Sequence, residues 1–98
     1  MSQIPNKGDI VVLQFNPQSG HEQAGTRPSL IISPSNFNEI TGFAVVCPIT
    51  NQRKDYPFEV NITGTISTTG VVLSDQHWYA RKAKVVDKVD QECIEQVN

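Results

Sequence analysis

The apolar positions of this chain come in short runs, each closed by proline, glycine, asparagine or serine. The run from Asp9 to Phe15, DIVVLQF, is rich in β-branched residues, too short for a stable helix and followed by the breaker-rich NPQSG, so it predicts a strand entering a loop. PSLIIS, from Pro28 to Ser33, predicts a second strand with its proline at the first position, where a missing N–H costs least. PSNFNEITG then predicts one helical turn or a tight loop. GFAVVCPIT, from Gly42 to Thr50, is the longest apolar run and predicts a central strand buried on both faces. From Tyr56 to Ile62, Phe58, Val60 and Ile62 alternate with Glu59 and Asn61, the period of a half-buried strand. After the turn-like TGTISTTG, the segments VVLSD and HWYARKAKVVD supply two further strand candidates. Only the tail, Gln91 to Val97, reads as a helix, with Asp90 as its N-cap and Ile94 and Val97 on one side. Five to seven short strands and one terminal helix predict a mainly β fold, a small, strongly bent sheet or SH3-like barrel.

Ninety-eight residues allow one domain, spanning 1–98, and a single modest core. Hydrophobic content of 38% is lean for a chain that stands alone, which suits completion of the core by dimerisation. No apolar run approaches the roughly 18 residues of a membrane span, and MSQIPNKGD lacks the apolar core of a signal peptide, so a cytoplasmic protein is expected. Cys47 and Cys93 lie far apart and suit buried reduced thiols better than a disulfide or a metal site.

A net charge of −2 argues at face value against a nucleic-acid binder. Its distribution changes that picture, because four acids and one lysine fall in the last twelve residues while the first 86 carry a net +1. RK at 53–54 and ARKAK at 80–84 can form a local basic patch.

Three polar features carry candidate chemistry. In GHEQAGTRPSLIISP, His21, Glu22 and Arg27 precede a buried strand; they read either as a solvated loop or as a site in which Arg27, held beside Pro28, binds phosphate with two prongs. Thr50, closing the central strand, either caps the following turn or offers a fixed hydroxyl to a developing oxyanion. Asp75 either caps a turn or serves the site; Trp78 either packs in the core or an interface, or with His77 stacks on a base or partner.

Taken in order, KGDIVVLQFNPQSGHEQAGTRPSLIISP, CPITNQRKDYPFEV and GVVLSDQ followed by ARKAK resemble the MazF/PemK/Kid family of bacterial toxin endoribonucleases from Lys7 to about Val97. The specific motifs are the Gly-Asp strand start, Glu-Gln-x-Gly-x-Arg-Pro, the Pro-x-Thr that ends the central strand, and Tyr-Pro-Phe-Glu-Val. The resemblance implies a small barrel of the MazF/Kid/CcdB kind, forming a homodimer. It implies an mRNA interferase that cuts single-stranded RNA at short sequences, with no metal or other cofactor, leaving 2′,3′-cyclic phosphate and 5′-hydroxyl ends and so inhibiting translation and growth. It also implies a MazE/Kis-like antitoxin whose flexible acidic C-terminal tail occupies the RNA groove, with DNA met only through the toxin–antitoxin complex.

Carried over by motif, the resemblance makes Arg27 and Thr50 the main catalytic groups, with His21, Glu22 and Asp75 ranked below them. It assigns Gln23, Gly25, Asn51, Arg53, Lys54, Gln76, His77, Trp78 and Arg81 to RNA binding. The chain departs from the family pattern at DQHWYARKAK, which is shorter than usual and has Tyr79 where an arginine is common; a tighter hairpin lacking one positive charge is expected there. Two rival readings follow. One is a catalytically impaired member that only binds its antitoxin or RNA. The other is a CcdB-like toxin acting on a protein partner, although the Trp-Gly-Ile ending of that type is replaced here by EQVN.

Overall fold

The computed structural model describes residues 4–15, 25–52, 54–80 and 84–97. Its elements are β1 (Asp9–Phe15), β2 (Gly25–Ile31), α1 (Ser35–Thr41), β3 (Ala44–Thr50), β4 (Glu59–Asn61), β5 (Val71–Leu73), β6 (Trp78–Ala80), β7 (Lys84–Lys88) and α2 (Gln91–Val97). The strands form one curled antiparallel sheet in the order β4-β5-β3-β2-β1-β7, with β6 also on β3. This is the mainly β fold with a C-terminal helix that the strand pattern predicts.

Strand β3 organises the sheet. Its first half, Ala44–Val46, pairs with β6, and its last residues, Ile49 and Thr50, pair with β5. Pro48 falls between the two partners, where a residue without an N–H fits. Alternation along the strands then divides the core. Ile10, Leu30, Cys47, Ile49, Val60 and Val72 point to one face and pack with Cys93 of α2; Val11, Ile31, Ala44, Val46 and Ala80 form a second cluster on the other. Each large aliphatic side chain fully buried in this way contributes about 2 kcal/mol.

Several local expectations are corrected. Strand β2 begins at Gly25, so Pro28 is not its first residue: it pairs with Val12 of β1 and lies just outside the Ser29–Ile31 segment recorded as pairing with β3. PSNFNEITG forms a seven-residue helix, capped at its end by Gly42 at φ 76° and anchored by buried Asn38, whose amide donates to the carbonyls of Pro5 (2.8 Å) and Ser33 (3.2 Å). The strand expected over Tyr56–Ile62 is only Glu59–Asn61, because Tyr56 and Pro57 belong to the preceding loop. HWYARKAKVVD holds two strands, β6 and β7. The tight hairpin is not formed: β5 and β6 both lie along β3, and Leu73–His77 stand opposite only Cys47 and Pro48 as a bulged connection between them.

The tail behaves as expected. Asp90 accepts the Cys93 N–H at 3.0 Å, and its carboxyl is held below the usual range by the Thr63 hydroxyl first and the Cys93 N–H second. Both cysteines are buried thiols; burial, helped by the Asp75 charge, pushes Cys47 up to about 11. No described helix is long and apolar enough to cross a membrane.

A bulge in β7 between Val85, opposite Val11, and Asp87, opposite Ile10, puts Asp87 on the face of the sheet that carries Ile10 and Val89, and its carboxylate is satisfied by backbone N–H groups of Ile66, Ser67, Thr68 and Lys88. These bonds, that from Ser67 foremost, hold it well below the usual carboxylate range against the opposing effect of burial. Its folded-state value is therefore lower than its unfolded value, so its stabilising contribution is complete above about pH 4 and is lost as pH falls through the folded value. Urea midpoints measured from pH 7 to pH 2 should accordingly fall below about pH 4. The fall should be shallower in Asp87→Asn; an equally steep fall in that variant would remove Asp87 as a cause.

Candidate functional site

Thr50 stands where β3 leaves the sheet. It is 6% exposed and pairs with Val71 of β5. Its hydroxyl oxygen accepts the N–H of Gln52 at 3.1 Å, so it does cap the turn. A hydroxyl that accepts one bond still has its hydrogen to donate, so the cap and a role toward an oxyanion are compatible.

Arg27 is half-buried in β2, opposite Leu13 of β1. The recorded β2/β3 pairs run from Ile31↔Val46 to Ser29↔Pro48. Two residues beyond that last pair, on strands that both remain extended, come Arg27 and Thr50. They lie at the same end of the sheet, and strand alternation puts their side chains on one face.

Beside Thr50 opens a pocket of about 60 Å³, lined by Thr50, Gln52, Lys54, Tyr56, Phe58, Glu59, Leu73 and Gln76. It is part polar and part aromatic, with the Tyr56 and Phe58 rings 5.1 Å apart. The loop residues Gln52, Lys54, Tyr56 and Phe58 form one wall, shaped by Glu59, whose carboxylate accepts the N–H groups of Lys54 (3.0 Å) and Asp55 (3.0 Å). Asp55 adopts a left-handed φ of 58°, a conformation that aspartate tolerates better than most residues. The Ser74 hydroxyl donates to the Phe58 carbonyl and ties the opposite wall to the loop.

The structure thus gathers Thr50, Lys54 and Gln76 around one pocket. Asp75 is exposed next to Gln76, and its charge reaches Cys47 across the bulged connection. Asn51 is exposed, and its side-chain oxygen accepts the Thr69 hydroxyl at 3.2 Å. His77 is exposed, with Nε2 3.1 Å from the Ser74 carbonyl oxygen. Trp78 is set apart from the pocket: it is half-buried opposite Val46 and packs against the second core cluster, as the packing reading has it. Gly25 opens β2 opposite Phe15. His21, Glu22, Gln23, Arg53 and Arg81 lie outside the described residues. Among the described residues no three of His, Cys, Asp and Glu come together as a metal site.

Three residues that shape this region were not singled out from the pattern: Glu59, Gly70 and Asp87. Glu59 was visible only as the polar side of an alternating strand. Gly70, at φ 127°, passes so close to β3 that a Cβ there would stand 2.5 Å from the Thr50 carbonyl oxygen; a glycine just before a strand is the available signal. For Asp87 the available signal is only an acid within the apolar run VVDKV; the bulge that turns it inward is not written there.

Comparison with known proteins agrees with this fold. The family model of the PemK-like, MazF-like toxin of type II toxin-antitoxin systems matches residues 6–98. The chain is 43% identical over 84 residues to the endoribonuclease toxin MazF of Escherichia coli strain K12, covering 82% of this chain and 75% of that protein. Crystalline MazF from Deinococcus radiodurans (form I) superposes with a TM-score of 0.86 at 37% identity, covering 98% of this chain and 91% of that one. MazE-MazF (form II) from the same organism gives a TM-score of 0.82 at 37% identity, with 98% and 90% covered. The chain therefore belongs to the PemK-like, MazF-like toxins of type II toxin-antitoxin systems.

Proposed function

We propose that this chain is an endoribonuclease toxin that cleaves single-stranded RNA without a metal, leaving a 2′,3′-cyclic phosphate and a 5′-hydroxyl. The observation that carries the reading is the register that brings Arg27 and Thr50 to one end and one face of the β2/β3 pair, with Thr50 lining a polar and aromatic pocket, in a chain of this toxin family. The 2′-oxygen of the substrate bonds to phosphorus as the P–O5′ bond breaks. Arg27 neutralises the charge gathering on the phosphoryl oxygens, and the leaving 5′-oxygen takes its proton from solvent water. Thr50 donates its hydroxyl hydrogen to a phosphoryl oxygen. His21, with Glu22 beside it in sequence, takes the 2′-hydroxyl proton near neutral pH, and Asp75 borders the same site. Lys54, Asn51 and Gln76 meet the flanking nucleotides.

The partner is an antitoxin of the MazE kind, in keeping with the MazE-MazF complex of Deinococcus radiodurans. Its acidic tail competes with phosphate for the same cations, and the toxin acts as a homodimer in the cytoplasm.

The test is to incubate the purified protein with a long single-stranded RNA in EDTA and map the new 5′ ends. Discrete cuts whose 5′ ends accept a kinase label without prior dephosphorylation are expected. Intact RNA at excess protein would leave a family member that only binds its antitoxin; cutting only after magnesium is added would overturn the metal-independent mechanism.

A further inference from the structure

We propose that Asp87 is a positioning residue for Thr50, acting through the backbone of Ile66–Gly70; the kinetic part of this inference rests on the RNA-cleaving reading above. Asp87 sits on β7, at the opposite end of the sheet order from β4 and three strands from β3, and does not line the pocket. Yet the loop it organises ends against Thr50.

The connection can be followed bond by bond. The carboxylate gathers three successive backbone N–H groups, those of Ile66 (3.1 and 3.2 Å), Ser67 (3.0 Å) and Thr68 (3.0 Å), and the Ser67 hydroxyl at 3.4 Å. Converging N–H groups of this kind form an anion-binding nest, and here the anion is part of the chain. The Thr65 hydroxyl donates to the Thr68 carbonyl at 2.6 Å and closes the turn on itself. With Thr68 fixed, the next two residues have little choice of path. The Thr69 hydroxyl donates to the Asn51 side chain, and Gly70 runs in contact with the Thr50 carbonyl before Val71 enters the ladder opposite Thr50.

A carboxylate is what this turn requires. Its two oxygens accept from all three amides at once, and without it those N–H groups would have to find water or turn outward. An outward turn at Ile66–Thr68 would pull Thr69 from Asn51 and Gly70 from the back of Thr50. The Thr50 hydroxyl is oriented by its bond from the Gln52 N–H, so the Gln52 amide reports the state of that end of β3. Simple loss of fold stability would act differently, by changing the folded fraction without a preferential effect at Thr50–Gln52.

Two readouts separate these possibilities, compared in Asp87→Asn, Thr69→Val and the buried-core control Val89→Ala, all at a temperature where each is folded by circular dichroism. Amide hydrogen exchange of Gln52, relative to that of Val46 in the same strand, is expected to rise roughly tenfold in Asp87→Asn, to rise less in Thr69→Val, and to stay unchanged in Val89→Ala. Cleavage of a fluorogenic single-stranded oligonucleotide carrying a mapped cut site is expected to show kcat lowered roughly tenfold in Asp87→Asn with KM within about twofold, the signature of a displaced group in the transition state. Equal changes in Asp87→Asn and Val89→Ala, in both readouts, would overturn the proposal. If the wild-type protein does not cut RNA, the RNA reading fails, and the Gln52 comparison still decides whether Asp87 positions Thr50.

Discussion

Arg27→Ala is expected to lower RNA cleavage by about 10³-fold while leaving the fold intact, the scale on which an arginine that neutralises a transferring phosphoryl group acts. The physical reason lies in the charge of the reaction. A phosphodiester attacked by its own 2′-oxygen accumulates negative charge on oxygens that water stabilises poorly once the site is covered. On the proposed mechanism, a guanidinium on the same face of the sheet as Thr50 would meet that charge with two parallel N–H donors. Arg27 is half-buried in a strand paired through Leu13, so its backbone is fixed before RNA binds.

The comparison with Arg27→Lys sharpens this expectation. Lysine keeps the charge but offers a compact ammonium in place of a planar fork, so it should recover only part of the lost rate. Thr50→Ala should cost less than Arg27→Ala, roughly 10²-fold, because it removes one hydrogen bond donor and no charge. It should also cost about 1 kcal/mol of stability, since the Gln52 N–H loses its acceptor. Single-turnover cleavage in EDTA, with urea unfolding on the same samples, measures all three variants. An Arg27→Ala protein that cuts within tenfold of wild type would remove Arg27 from the chemistry.

The legible and illegible parts of this molecule divide along a physical line. Runs such as Asp9–Phe15 and the end of Gly42–Thr50 announce strands because their period and branching are local properties of the chain. The pairing of both β5 and β6 with β3 is not local, and nothing in GVVLSDQHWYA says whether its two halves face each other or a third strand. For the same reason the sequence predicts a hairpin where a bulged connection stands. Arg27 and Thr50 were legible as motif residues, but their common face depends on a β2/β3 register set by burial of Leu30, Ile31, Val46 and Cys47. Glu59 and Asp87 show another limit. A carboxylate in an alternating segment looks the same whether it faces water or a set of backbone amides, and only the loop that folds over it decides.

Gly70→Ala is expected to destabilise the fold by about 3 kcal/mol and to depress cleavage beyond what the unfolded fraction explains. Two effects add. At φ 127° the backbone is in a region that L side chains rarely adopt, which alone costs on the order of 1–3 kcal/mol. The new Cβ would then stand 2.5 Å from the Thr50 carbonyl oxygen, 3.0 Å from its carbon and 3.1 Å from the Asn51 side-chain oxygen. Thr50 cannot retreat cheaply, because Ile49 and Thr50 are paired with Val72 and Val71 while the preceding residues are paired with β2. Any relief therefore comes at the expense of that pairing and displaces the end of β3, which carries the hydroxyl. Gly42→Ala provides the control: its φ of 76° is also positive, but a Cβ there meets nothing within 4 Å, and it caps α1, whose residues line none of the pocket beside Thr50. Gly42→Ala should thus lose only about 1 kcal/mol and keep its rate per folded molecule. Urea midpoints and single-turnover rates of the two variants, measured side by side, isolate the collision with Thr50 from the cost of the backbone conformation; equal losses in both would show that Gly70 serves its turn and not the site.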